Sequence, residues 1–165
     1  MIEIEKLKQV AEEKRKENSK FRTYLKNHAD PEILDEQFKE LHEKYFSTYD
    51  CSKCRNCCKE FKGRIPMNEL ERDSSYLNLT IEAFKDRYLE DKIEDGCYNS
   101  KNIPCDFYDG KECILGENRP NECKEFPFTN KEGRFWRLWG IMDNTEICPV
   151  LYEIVEELKK IYNFR

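Results

Sequence analysis

Apolar residues recur at helical intervals from the start of the chain. Between residues 2 and 28 they fall at Ile4, Leu7, Val10 and Ala11, then at Phe21, Tyr24, Leu25 and His28, which predicts one long helix. Its middle, EEKRKENSK, has no apolar face and suits a segment that projects into solvent or meets a partner. Asn27 to Asp30 make a turn. Asp30 can cap a second helix whose first turn holds Pro31, and that helix is expected to run to about Tyr45. Its stripe of Leu34, Phe38, Leu41, Tyr45 and Phe46 predicts packing on the first helix as an antiparallel hairpin over residues 1–49.

Further on, IPMNELERDSSYLNLTIEAFKDRYLE predicts two short helices. One covers about Asn68 to Tyr76; the other is capped by Thr80 and turns Ile81, Phe84 and Tyr88 inward. Between Asp91 and Pro104 the pattern lapses, and a loop carrying Cys97 is expected. PCDFYDGKECIL reads as a tight hairpin. A three-residue loop of Tyr108, Asp109 and Gly110 would put glycine in the left-handed position and set Cys105 opposite Cys113 on one face. A two-residue Asp-Gly turn would send the two sulfurs to opposite faces. Arg119-Pro120 starts a single helical turn carrying Cys123, followed by Phe126-Pro127-Phe128. Residues 134–141, RFWRLWGI, read as a strand whose tryptophans pack against the cysteine-rich lobe. Cys148-Pro149 opens a C-terminal helix with a stripe of Leu151, Ile154, Val155, Leu158 and Ile161. Cys148 then sits at the helix amino end, where unpaired N–H groups and the dipole favour a thiolate. The expected fold is mainly α with a small β component. It has an N-terminal helical hairpin, then a cysteine-rich, metal-stabilised α+β domain over residues 50–165, closed by a C-terminal helix.

Composition sharpens this picture. Charged residues make up 38% of the 165 and apolar ones only 38%, which leaves little for a conventional core. Bound metal can make up the difference, since structural zinc contributes about 10 kcal/mol or more to small domains. The net charge of −5 argues against a general nucleic-acid binder. One local exception runs from Cys51 to Arg64, where Lys53, Arg55, Lys59, Lys62 and Arg64 face a single acid, Glu60. Cations there would offset the charge of a metal thiolate centre. No run reaches a membrane-spanning length, and the opening MIEIEKLKQV is not a signal peptide. A reducing cytoplasm is expected, in which thiols hold metal rather than pair with one another.

The chemistry is concentrated in CSKCRNCC, residues 51–58. Four of the nine cysteines occupy these eight positions, and Cys105, Cys113, Cys123 and Cys148 follow. Thiols at every third residue let a tight turn aim several sulfurs at one point, which zinc and iron demand. Setting Cys97 aside as a spare, eight thiols satisfy two four-sulfur sites, or one site with thiols left over. Adjacent Cys57 and Cys58 point apart and suit different metals or a polynuclear centre. The opening C-x2-C-x2-C is similar to the ferredoxin run but lacks its fourth cysteine before proline, and spacing does not choose between zinc and an iron–sulfur cluster. His28 and His42 both lie in the helical hairpin without ligand-like neighbours. The centre is therefore expected to be built from sulfur alone, without histidine acid–base or nucleophilic chemistry.

These residues resemble the YkgJ-like cysteine-cluster proteins, a family to which zinc or iron chelation is ascribed. Cys51, Cys54, Cys57 and Cys58 match its CxxCxxCC signature. The likeness continues through Cys105-Asp106-Phe107, Cys113-Ile114, Arg119-Pro120, Cys123, Phe126-Pro127-Phe128 and Cys148-Pro149. It covers roughly residues 50–150. Arg55, Asp106, Lys124 and Val150 depart from frequent family residues, but all eight expected cysteines are present. The resemblance implies a metal-binding role for these eight. Some relatives are labelled iron–sulfur oxidoreductases, and the larger flagellin lysine N-methylase has a similar cluster. With six glycines and no G-x-G-x-x-G after a strand, the methylase activity is not carried over.

Three readings follow, in this order. The first is a metal-binding module held by zinc or an iron–sulfur centre, with the helical hairpin as a handle for a protein partner. The second is an iron–sulfur-dependent enzyme for redox or protein-methylation chemistry. The third is nucleic-acid binding through the cations around Cys54, which predicts a steep loss of affinity with salt.

Overall fold

Helix α1 (Ile4–His28) follows the first apolar stripe and buries Leu7, Ala11, Phe21 and Leu25. The structure, a computed structural model, describes all 165 residues, Met1–Arg165. Helix α2 (Pro31–Phe46) starts where Asp30-Pro31 predicts. The Asp30 carboxylate accepts from the N–H groups of Glu32 at 2.9 Å and Ile33 at 3.1 Å, a cap worth about 1 kcal/mol. Two short helices follow, α3 (Cys51–Cys54) and α4 (Asn56–Glu60), then strand β1 (Arg64–Pro66) and helices α5 (Leu70–Tyr76) and α6 (Ile81–Tyr88). Thr80 caps α6 through the Ala83 N–H at 3.1 Å, as expected. Strands β2 (Leu89–Glu94) and β3 (Cys97–Ser100) precede α7 (Asn121–Glu125), α8 (Leu138–Asp143) and α9 (Pro149–Ile161). No helix is long and apolar enough to cross a membrane.

Contacts divide the chain into two units: Met1–Asp50 with Pro127–Arg165, and Cys51–Phe126. In the first, helical unit, α1 packs on α8, α9 and the turn at 144–146, while α2 packs on α9 and the turn at 134–137. The two N-terminal helices thus rest on these later elements more than on each other, unlike the predicted hairpin. Helix α9 is the reason. It buries Val150, Leu151, Ile154, Val155 and Leu158, and also Tyr152 and Lys159, so apolar surface covers most of its circumference. Lys159 is compensated at 2.6 Å by both Glu17 and Glu156. The two histidines are packing residues: His28 lies against Tyr24, while His42 packs on Phe46 and bonds the Thr129 hydroxyl at 2.8 Å.

The strand expected at 134–141 is helical. A 3-10 turn covers Arg134–Arg137 and leads into α8. Asp35 fixes its start by accepting from the N–H groups of Gly133 at 2.5 Å and Arg134 at 2.7 Å. The buried residues Phe135, Leu138, Ile141 and Met142 carry a helical period, whereas Trp136 and Trp139 stand 75% and 68% exposed in this unit.

In the cysteine unit, β1, β3 and β2 form an antiparallel sheet in that order. The loop expected between Asp91 and Pro104 is instead mostly this β2–β3 hairpin. Asp95 and Gly96 both have positive φ, 49° and 73°, and join Glu94 to its partner Cys97. The strand pattern is hidden because β2 is an edge whose Asp91, Lys92 and Ile93 are exposed. The core beneath holds Ile65, Leu70, Phe84, Leu89, Tyr98, Phe107 and Leu115, with Phe84 stacked on Phe107. Ile81, expected inward, lies at the surface.

Candidate metal centre

The sulfurs come together through four separate pieces of backbone. Arg55 ends α3 in the left-handed region, φ 50°, and this reversal starts α4, which carries Cys57 and Cys58. The carbonyl of Cys58 accepts from the Cys105 N–H at 2.9 Å and fixes the next piece beside it. Cys113 follows the 109–112 turn, and Cys123 lies on α7, which packs on β1. Cys58, Cys105, Cys113 and Cys123 all line one cavity of about 20 Å³, together with Gly63, Phe107, Tyr108, Arg119 and Pro120.

Cys105 and Cys113 do not reach that cavity by the predicted route. Tyr108, not Cys105, stands opposite Cys113, and Phe107 O accepts from the Ile114 N–H at 2.8 Å. The loop is therefore the four residues 109–112. The Asp109 side chain closes it by accepting from the N–H groups of Lys111 at 2.8 Å and Glu112 at 2.7 Å. This local side-chain turn displaces the three-residue loop. Gly110 keeps its positive φ of 99°. Joint placement of the two thiols survives, but the cross-strand pairing proposed to cause it does not.

Three of the four sulfurs accept backbone hydrogen bonds: Cys105 from Phe107 and Gly63, Cys113 from Leu115, and Cys123 from Arg64. In Cys105 and Cys113 the donor lies two residues downstream, so the same tight turn presents each sulfur. Such bonds favour the thiolate. Burial works the other way, raising all three thiols and holding Cys123 at about 11. Cys58 differs. A hydrogen bond from the Cys57 thiol lowers it to about 6, with Arg119 and Arg55 assisting, and the same bond together with burial raises Cys57.

Two further residues shape the cavity, and neither stood out in the sequence. Ser100, fully buried, accepts from the Gly63 N–H at 2.8 Å and donates to the Cys105 sulfur at 3.9 Å. Gly63 lies so close that an added Cβ would fall 2.7 Å from Cys105 Sγ. Arg119 Nη2 donates to the Cys123 carbonyl at 2.8 Å. Asp106 accepts from Asn102 N and Nδ2, both at 2.8 Å, as a turn carboxylate.

The other predicted ligands are not among these lining residues. Cys51 and Cys54 bracket α3, and the Cys57 thiol donates to the Cys58 sulfur. Cys97 is buried on β3 beside the Arg64 side chain. Cys148 precedes α9 in the helical unit, at the helix amino end as predicted. No disulfide joins any of the nine. As the side chains stand, no three Cys, His, Asp or Glu are arranged to hold an ion. The donor set nevertheless fits a soft divalent metal: four sulfurs on one small cavity, amide N–H groups directed at three of them, and two arginines to offset thiolate charge.

A sulfur-lined cavity on a small α+β scaffold is the hallmark of a thiolate metal-chelating domain. Residues 50–149 match the model of the CxxCxxCC family, described as "Putative zinc- or iron-chelating domain". That is more than half the chain, and the protein belongs to this family. No curated protein and no solved structure matches the chain.

Proposed function

We propose that the cysteine unit is a metal-binding module in which Cys58, Cys105, Cys113 and Cys123 hold one zinc ion. The carrying observation is their shared cavity of about 20 Å³. A space of about 10–15 Å³ holds one water-sized species, so this one suits a single ion better than a cluster of several iron and sulfide atoms. Four thiolates and Zn²⁺ carry a charge of about −2, which Arg55 and Arg119 offset. The ion would tie α4, residues 105–113 and α7 together, so its binding free energy becomes folding free energy. Cys51, Cys54 and Cys57 form a second donor group on the same turn. A reducing compartment such as the cytoplasm suits nine cysteines without a disulfide.

Metal analysis of the purified chain and its serine variants tests this reading. Cys58→Ser and Cys123→Ser should lose the ion and loosen the fold, while Cys97→Ser should keep it. Full metal retention by Cys123→Ser would overturn the proposal.

A further inference from the structure

Asn18 is out of place on the inner face of α1. The other residues that this helix buries are Leu7, Ala11, Phe21 and Leu25, whereas Asn18 brings an amide there and stands only 3% exposed. Its Nδ2 donates to Thr145 Oγ1 at 3.4 Å, and that hydroxyl is itself committed to Met142 O at 2.7 Å. Asn18 Oδ1 accepts no hydrogen bond. A buried carbonyl without a donor marks a place where a donor belongs. Asn18 also lines a cavity of about 240 Å³ between α1 and residues 139–146. Two of the charges on that cavity, Arg15 and Glu146, pair with each other at 3.0 Å and cancel. The other two are Arg22, one helical turn beyond Asn18, and Asp143, two residues before Thr145. Their side chains make no hydrogen bond or ion pair, with each other or with any other residue. Trp139 and Met142 supply an apolar wall.

We propose that this cavity is a binding site for a free amino acid with an apolar side chain. Each simpler occupant fails at one wall. An anion meets the unpaired carboxylate of Asp143, a cation meets the unpaired guanidinium of Arg22, and a hydrocarbon leaves Asn18 Oδ1 without a donor. A zwitterion satisfies all three groups together. Its ammonium donates to Asn18 Oδ1 and pairs with Asp143, its carboxylate takes the guanidinium fork of Arg22, and its side chain lies on Trp139 and Met142. The spacing suits one small molecule. Residues four apart on a helix have Cβ atoms about 5–6 Å from each other, so Asn18 and Arg22 can hold neighbouring groups of the same ligand. Size agrees with this. The cavity far exceeds the roughly 10–15 Å³ that one water needs, and it is smaller than the roughly 300–1,000 Å³ of sites for drug-sized ligands.

The probes are L-leucine, L-methionine and L-phenylalanine, titrated into the full chain by calorimetry. Trp139 is one of only two tryptophans, so intrinsic fluorescence gives a second readout. At least one probe should bind saturably. Its amide, which lacks the carboxylate, and its N-acetyl derivative, which lacks the ammonium, should each bind about tenfold or more weakly. Arg22→Ala should weaken the parent amino acid by about tenfold or more and leave the residual affinity for the amide unchanged. Asp143→Asn should weaken the parent in the same way and leave the N-acetyl derivative unchanged. Loss of folding cannot produce that selectivity. Asn18→Leu, of similar size and without the acceptor, should lose binding while circular dichroism shows the helices intact. The cavity lies in the helical unit, so metal content tests the zinc reading separately. No saturable response to any of the three amino acids would overturn the proposal. So would blocked derivatives that bind as tightly as their parent, or an Arg22→Ala variant that weakens the amide as much as the free amino acid.

Discussion

The guanidinium of Arg119 donates to the backbone carbonyl of Cys123 at 2.8 Å while its charge stands beside the Cys58 thiolate. One side chain thus holds the α7 thiol's backbone in place and neutralises the α4 thiol. Replacing it removes both functions. Arg119→Ala should lower metal affinity by about tenfold or more and cost roughly 1.5–3 kcal/mol of stability, the range for a hydrogen bond made by a charged group. Arg119→Lys should restore part of the affinity through its charge but less of the stability, because it lacks the planar fork. Chelator competition and urea denaturation measure the two quantities separately.

Gly63 offers a steric test. A Cβ there would stand 2.7 Å from Cys105 Sγ and 3.1 Å from the Phe107 ring, so Gly63→Ala must displace the sulfur or the sheet edge. A loss of about 1–3 kcal/mol is expected, together with weaker metal binding. Gly140 in α8 is the control, since its Cβ would meet nothing within 4 Å. Gly140→Ala should be neutral or stabilise by about 0.5–1 kcal/mol. Thermal denaturation of the loaded protein distinguishes them.

The anchor of the loop before Cys123 can also be broken. Arg72 pairs with fully buried Asp73 at 2.7 Å and with Glu69 at 3.0 Å, and donates to Asn118 O at 2.8 Å. Glu69 in turn accepts from the Asn121 N–H at 3.2 Å, at the start of α7. Arg72→Ala strands the Asp73 carboxylate and should cost about 3 kcal/mol. This is the low end for a broken buried pair, because Arg72 itself is 36% exposed. Asp73→Asn in the same background should recover part of that loss in denaturant titrations.

Stability of the metal-free protein should pass through a maximum with pH. Cys58, lowered to about 6 from an ordinary value near 9, holds fewer protons in the folded chain than in the unfolded one over that interval, so stability rises from pH 6 to 9. Cys123, held at about 11 by burial, keeps a proton that the unfolded chain has lost above pH 9, so stability then falls. Cys105 and Cys113, also raised by burial, act in the same direction above pH 9. A metal ion held by the raised thiols would displace their protons, so metal affinity should increase with pH across neutrality. Denaturation of the metal-free chain over a pH series checks the maximum, and a monotonic profile would contradict it.

Where a single residue type decides local geometry, the sequence was an adequate guide. Asp30-Pro31 and Thr80 mark helix starts that the structure places at those positions. The Asp95-Gly96 turn carried an equally strong hairpin signal, but charges along the exposed edge of β2 masked the alternation on either side. The segment 134–141 misled for a different reason. Its two exposed tryptophans mimic strand residues, and the helical start depends on Asp35, about a hundred residues earlier. Gathering of sulfurs could be read from cysteine density, yet the means could not. The Asp109 turn, the Ser100 hydroxyl and the cavity beside Gly63 arise from tertiary contacts that spacing does not encode.

Elemental analysis combined with an ultraviolet–visible spectrum, on protein purified without oxygen, bears most directly on the four-sulfur site. The expected result is a colourless protein holding at least one zinc per chain, with the zinc lost in Cys123→Ser. A brown protein with iron, sulfide and absorbance at about 400 nm would contradict it.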